Sequence, residues 1–200
     1  MNRNNSFGEF HDLSIADRAG RYLSTRKARR VFSRQSIKVA ADIGCGFEAS
    51  IGRILFAGAE TLHLVDISMS KDGIANHERI HEGYLPEVLN KIEDSSLDAV
   101  FMNNVLEHLT DIDGTLHLLY EKMRLSGVLF LNVPTWRGKL FLEFAAFRWN
   151  IAPRDEMNDH KIYFDLKTLW PRLVAAGFRP DSIKCKTHKF GTNLYSVCKK

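Results

Sequence analysis

No run in the 200 residues is long and apolar enough to span a bilayer. The N-terminus also lacks the apolar core of a secretion signal, so a cytoplasmic protein is expected. Cysteine is scarce: Cys45, Cys185 and Cys198 are an odd set without metal-type spacing, which argues for reduced thiols and against a disulfide framework. No histidine and carboxylate set has recognisable ligand spacing, so no metal is expected. Internal repeats and low-complexity tracts are absent as well.

What is present fits one α/β domain with a substantial core: 44% apolar residues and 26% charged ones. The chain is organised around Lys38 to Asp66. An apolar run, Val39-Ala40-Ala41, ends at Asp42 and meets the turn Gly44-Cys45-Gly46. A helical pattern follows through Ile51, Ile54 and Leu55, then a strand, Leu62 to Val65, closed by Asp66. Strand, glycine turn, helix, strand and terminal acid make half of a nucleotide-binding βαβ unit. The glycines allow a sharp turn and bring ligand atoms against bare main chain. The acid at the second strand's tip is placed to accept from two ribose hydroxyls.

Two cofactors satisfy that outline. Gly44-x-Gly46-x-x-Ala49, with Asp66 about 20 residues on, fits a dinucleotide fingerprint. Asp42 decides between them. A carboxylate two positions before the first glycine repels the pyrophosphate of NAD, whereas S-adenosylmethionine brings a cationic sulfonium and an ammonium. The Asp-x-Gly-x-Gly order therefore favours S-adenosylmethionine. A strand-end Asp that merely caps the turn is the plainer explanation.

Upstream, a helix is expected from Ser14 to about Arg34, with Ile15, Ala19, Tyr22 and Leu23 on one side. The first 40 residues hold nine Lys or Arg against three Asp or Glu, a net +6 against +4 for the whole chain. This basic segment, 1–37, is either a solvated helix face or an electrostatic collar that recruits a phosphorylated, carboxylated or nucleic-acid substrate. Downstream, a helix through Asn76 and Arg79 and a short strand near Glu82 to Leu85 are expected, and Glu82 is a weak candidate for the adenine contact. Leu97 to Met102 reads as a central strand that delivers Asn103, Glu107 and His108 to the sheet's carboxyl edge. Asp111 or Asp113 caps a helix, Val128 to Val133 forms the next strand, Asp165 caps a last helix carrying Pro171, and two tail strands turn at Gly191-Thr192.

In order, Asp42-Ile43-Gly44-Cys45-Gly46, Leu64-Val65-Asp66-Ile67-Ser68, Val105-Leu106-Glu107-His108-Leu109 and Gly127 to Pro134 resemble successive motifs of class I S-adenosylmethionine-dependent methyltransferases. The likeness is to the small-molecule group typified by quinone- and sugar-modifying enzymes. His160-Lys161-Ile162-Tyr163-Phe164 and Leu173 to Phe178 resemble that group's later segments. Glu48 replaces a frequent glycine, and no clear acidic motif follows the third strand. The resemblance implies an α/β, Rossmann-like, doubly wound, mostly parallel seven-stranded sheet with a C-terminal antiparallel hairpin, spanning 38–200. It further implies Asp42 near the ammonium, Gly44, Cys45 and Gly46 beneath the methionine and ribose, and Asp66 on the ribose. Ile67 would pack on adenine and Asn103 would line the methionine side.

Residues 135–159 exceed a simple connection and carry Leu140, Phe141, Phe144, Phe147 and Trp149, either as a packed helix or as a lid over the acceptor. If the acceptor is a hydroxyl, a base is needed, and His160 and His108 are the candidates. Each histidine could equally be held by local hydrogen bonds. The expected acceptor is a small or carrier-linked molecule. A nucleic-acid methyltransferase is disfavoured because Asn103-Asn104-Val105-Leu106 lacks the Pro-Pro-aromatic run that grips an extruded base. Two rival classes remain: a NAD-dependent oxidoreductase, which Asp42 and the closing hairpin disfavour, and a non-catalytic cofactor-binding module.

Overall fold

The computed structural model describes residues 6–9, 15–138 and 161–200, with backbone only for 15–18. Near-continuous apolar runs at the centre and more polar edges build seven strands: β1 (Val39–Ile43), β2 (Thr61–Asp66), β3 (Glu78–Glu82), β4 (Leu97–Asn103), β5 (Met123–Pro134), β6 (Ile183–His188) and β7 (Asn193–Lys199). They form one sheet in the order β3-β2-β1-β4-β5-β7-β6. All pairings are parallel except those of β7, which runs antiparallel to both β5 and β6. The fold is the expected α/β, doubly wound sheet with a terminal hairpin.

Each central strand is apolar on both sides because helices cover both faces. On one face, α1 (Ile15–Phe32) and α2 (Ser50–Leu55) lie over Leu62, Leu64, Phe101 and Phe130. Phe130 stacks between Phe101 and Tyr195 at 5.7 Å from each. On the other face, α3 (Ile112–Lys122) and α4 (Leu166–Ala175) bury Leu116, Leu119, Leu169 and Leu173 against Val100, Leu129 and Leu131. Asp111 caps α3 by accepting from the Gly114 N–H at 2.8 Å. Asp165 and Thr168 form a reciprocal capping box on α4, which runs through Pro171 to Ala175.

Two local expectations are corrected. The helix through Asn76 and Arg79 is instead a turn leading into β3, which begins at Glu78, four residues before the expected strand. Its polar sequence, Glu-Arg-Ile-His-Glu, suits an edge strand and lacks the apolar run that marks the central strands. On α1, Tyr22 is 64% exposed, and the buried stripe is Ser24, Ala28 and Phe32. The sheet takes that stripe because Phe32 packs on Phe56 at 5.0 Å.

Candidate active site

The strand order reverses between β1 and β4, and a cleft opens there at the carboxyl edge. It is a cavity of about 960 Å³ lined by Asp42, Gly44, Cys45, Gly46, Asp66, Ile67 and Asn103, all of them expected at the site. His108 lines it too, whereas His160 and most of the segment 135–159 lie outside the described residues.

Asp42 lies one residue before the end of β1 at 2% exposure, and its Oδ2 has no hydrogen-bond partner. Burial, and next the charge of Asp66, push its pKa up to about 8; the Gly52 backbone N–H and Arg21 act the other way. A Cβ on Gly52 would lie 2.5 Å from that carboxylate, so α2 can approach β1 this closely only with glycine there. Asp42 lines the cleft, and a buried carboxylate there favours a cation.

The glycine turn is wound left-handed at Gly44 (φ 69°) and Gly46 (φ 77°). Gly44 and Cys45 donate backbone N–H bonds to the Val65 carbonyl at 2.8 and 3.2 Å, tying the turn to β2. Asp66 then locks it from the other side: Oδ2 accepts from the Gly46 N–H at 2.7 Å and Oδ1 from the Ile67 N–H at 2.7 Å. Oδ1 also accepts from the Ser6 hydroxyl, which in turn reaches the Ser68 carbonyl. Ser6 is 5% exposed, and Phe7 beside it lines the cavity. Burial and the two aspartates hold the Cys45 thiol far above its usual range, so it stays a thiol.

The adenine end departs from expectation. Glu82 is not on the cavity wall; its Oε1 accepts from the Met69 N–H at 3.0 Å and its Oε2 pairs with Lys71 at 3.6 Å. Gly83 to Glu87 line the cavity instead, because β3 ends earlier than its sequence suggests.

At the far end lies a cluster that the sequence pattern does not announce. Asn132 Nδ2 donates to Asn103 Oδ1 at 3.0 Å and Asn104 Oδ1 at 2.9 Å, and Asn193 Nδ2 donates to Asn104 Oδ1 at 3.2 Å. Asn104 sits left-handed, at φ 55°, where asparagine is tolerated. Asn132 is a visible signal, a polar residue inside an apolar strand; Asn193 arrives from 89 positions away and leaves none. Glu107 is fully buried in the short turn Leu106–His108, and its carbonyl accepts from the Lys161 N–H at 2.8 Å. The backbone that follows residue 160 therefore returns to the cavity rim. Among the described residues, no group of three or more His, Cys, Asp or Glu could hold a metal ion. Among them, too, no helix is long and apolar enough to cross a membrane.

Residues 41–131 match the model of a family described as a methyltransferase domain. No curated protein matches the sequence. Among solved structures, the fold is similar to a SAM-dependent methyltransferase from Archaeoglobus fulgidus, at 20% identity and TM-score 0.65, over 90% of this chain and 94% of that one. It is similar to an S-adenosylmethionine-dependent methyltransferase from Mesorhizobium loti at 11% identity and TM-score 0.61, over 88% and 98%. It is also similar to the [4+2]-cyclase SpnF at 14% identity and TM-score 0.67, over 99% and 86%. Such distant likeness shows the fold and leaves the acceptor to the site itself.

Proposed function

We propose that this chain, a class I S-adenosylmethionine-dependent methyltransferase, moves a methyl group to a hydroxyl or amine of a small or carrier-linked acceptor. One observation carries the reading: a single cavity of about 960 Å³ joins a buried acid, a left-handed glycine turn and an asparagine cluster. That volume lies at the upper end of small-molecule sites, which suits a cofactor with an acceptor beside it.

The residues fit the cofactor. Asp42 would face its cationic amino-acid portion, Gly44 to Gly46 would pass beneath it, and Asp66 would take the ribose. S-adenosylmethionine supplies the activated methyl group and the neutral sulfide that leaves. The protein's part is alignment, worth several kcal/mol when the acceptor is held in line. Asn103 would line the methionine side, and Asn104, braced by Asn132 and Asn193, would present its amide where an acceptor's polar atom would lie. His108 is the described candidate base, half-buried at the cavity wall.

Incubating purified enzyme and cell extract with isotopically labelled methyl donor should label a discrete small or carrier-linked product by mass spectrometry. Label confined to bulk RNA, or none despite cofactor binding, would refute the small-acceptor reading.

A pH effect follows from Asp42. Its folded pKa of about 8 exceeds the usual 3.8, so between those values the native state holds a proton that the unfolded chain releases. The Asp42 contribution to cofactor-free stability is therefore fully present below about pH 4 and is lost as pH rises toward 8. A bound ammonium reverses the preference. Binding of S-adenosylhomocysteine near pH 6.5 should release close to one proton, measured calorimetrically in buffers of differing ionisation enthalpy. Asp42→Asn should abolish the release; an unchanged proton count in that variant removes Asp42 from the cofactor's surroundings.

A further inference from the structure

A second cavity, of about 270 Å³, lies between α1 and the end of β6, lined by Leu23, Arg26, Lys27, Arg30 and His188. The four α1 residues follow the i, i+3, i+4, i+7 spacing of one helix face. No carboxylate pairs with Arg26, Lys27 or Arg30 among the described residues, although like charges at this spacing repel. Lys27 packs its ammonium over the Tyr195 ring at 5.3 Å, which fixes it in place.

His188 lines the same cavity from the end of β6. The Leu23 carbonyl beside its imidazole favours the protonated form, and Nε2 is buried without a hydrogen-bond partner. Tyr195 braces the ring edge-on at 5.9 Å. Once protonated, that nitrogen adds a fourth cation-borne donor to the cavity. Burial first, then Lys189 beside it and Lys27 on α1, hold the imidazole below its usual range until an anion arrives. Lys184 and Lys186 are exposed on β6 at the same parity as His188, so the sheet continues the positive surface.

We propose that this cavity binds a phosphate group, and that the phosphate belongs to the methyl acceptor. A carboxylate offers one charge and two oxygens; a phosphate monoester offers nearly two charges and three oxygens to four donors. The volume falls below the range of sites that enclose whole small molecules, so the cavity suits one anionic group and not a complete ligand. Its place fixes its role. Gly20, Arg21 and Lys189 line the large cavity, and Leu23, Arg26, Arg30 and His188 line the small one, along one seam. From Arg21, on the wall of the large cavity, the α1 rise puts Arg26 and Arg30 roughly 8–14 Å away, within reach of a phosphate-bearing arm on an acceptor held in that cavity. This assignment of the acceptor's class rests on the methyltransferase reading, whereas the anion site itself does not.

The site is tested by titrating the full-length protein with inorganic phosphate at fixed ionic strength while following the His188 ring by NMR, with chloride as control. Phosphate should raise the His188 titration midpoint by about one pH unit, saturably, and chloride should not. The double variant Arg26→Gln/Arg30→Gln should bind phosphate roughly a hundredfold more weakly, about tenfold for each charge-assisted contact. His188→Asn should weaken it less, and calorimetry with S-adenosylhomocysteine should be unchanged in all variants. Equal responses to phosphate and chloride, or undiminished binding in the double variant, overturn the site.

The acceptor's class is tested by phosphatase or nuclease treatment of the extract before labelling. Lost incorporation after phosphatase, with none lost after nuclease, supports the assignment. Incorporation that survives phosphatase, or vanishes with nuclease, overturns it. Wild-type protein that fails to bind S-adenosylhomocysteine defeats the methyltransferase reading and leaves the phosphate titration to decide the site alone.

Discussion

Asp66→Ala is expected to weaken S-adenosylhomocysteine binding by about 1.5–3 kcal/mol, or some ten- to hundredfold, because the lost hydrogen bonds are charge-assisted. The carboxylate does two jobs. It pins the glycine turn through the Gly46 and Ile67 N–H groups, and on the proposed reading it accepts from ribose hydroxyls at the tip of β2. Asp66→Asn separates them, since the amide keeps one acceptor oxygen for the turn but loses the charge. The Asn variant, whose NH2 meets one of those two N–H donors, should melt between wild type and the Ala variant and still bind weakly, whereas the Ala variant should lose more of both stability and affinity. Calorimetry and thermal melting read the two effects independently. Unchanged affinity in Asp66→Ala would show that the ribose lies elsewhere.

Gly44→Ala should have the largest effect on stability. A Cβ at Gly44 would stand 2.2 Å from Val105 Cγ2, closer than any real contact, on a backbone with φ 69°. Left-handed strain costs about 1–2 kcal/mol and forced overpacking about 1–3 kcal/mol. At about 2–4 °C per kcal/mol for a chain of this length, the melting temperature should drop by roughly 10 °C. Adding Val105→Ala removes the clash and leaves the backbone strain, so the double variant should recover about half of the loss. No recovery would mean that the conformation alone decides this position.

The sequence betrays those parts of the site whose signals are local. Asp42, the glycine turn and Asp66 lie within one βαβ unit, where apolar strand runs and glycine spacing suffice to place them. Asn103 and His108 follow from the next apolar strand. Other features depend on residues far apart in the chain. β3 is hidden because an edge strand covered on one face tolerates Arg79, His81 and Glu82. The buried stripe of α1 is not legible because Tyr22 and Ala28 look alike in periodicity, and only the partner, Phe56, selects between them. The cavity around His188 needs a helix near the start of the chain and a hairpin at its end, and no window along the sequence contains both.

One contact changes what an affinity measurement on this protein means. Ser6 places its hydroxyl on Asp66 Oδ1, the kind of group a ribose would bring to the same oxygen. With the Ile67 N–H on that oxygen too, its two lone pairs are already engaged. A ribose hydroxyl can take that position only by exchange with the chain's own serine. The measured dissociation constant is then the intrinsic one divided by the fraction of molecules whose serine has withdrawn. On the proposed reading of Asp66, a residue 60 positions upstream would thus set how tightly the cofactor is held, and a change there would retune the protein to a different cofactor concentration.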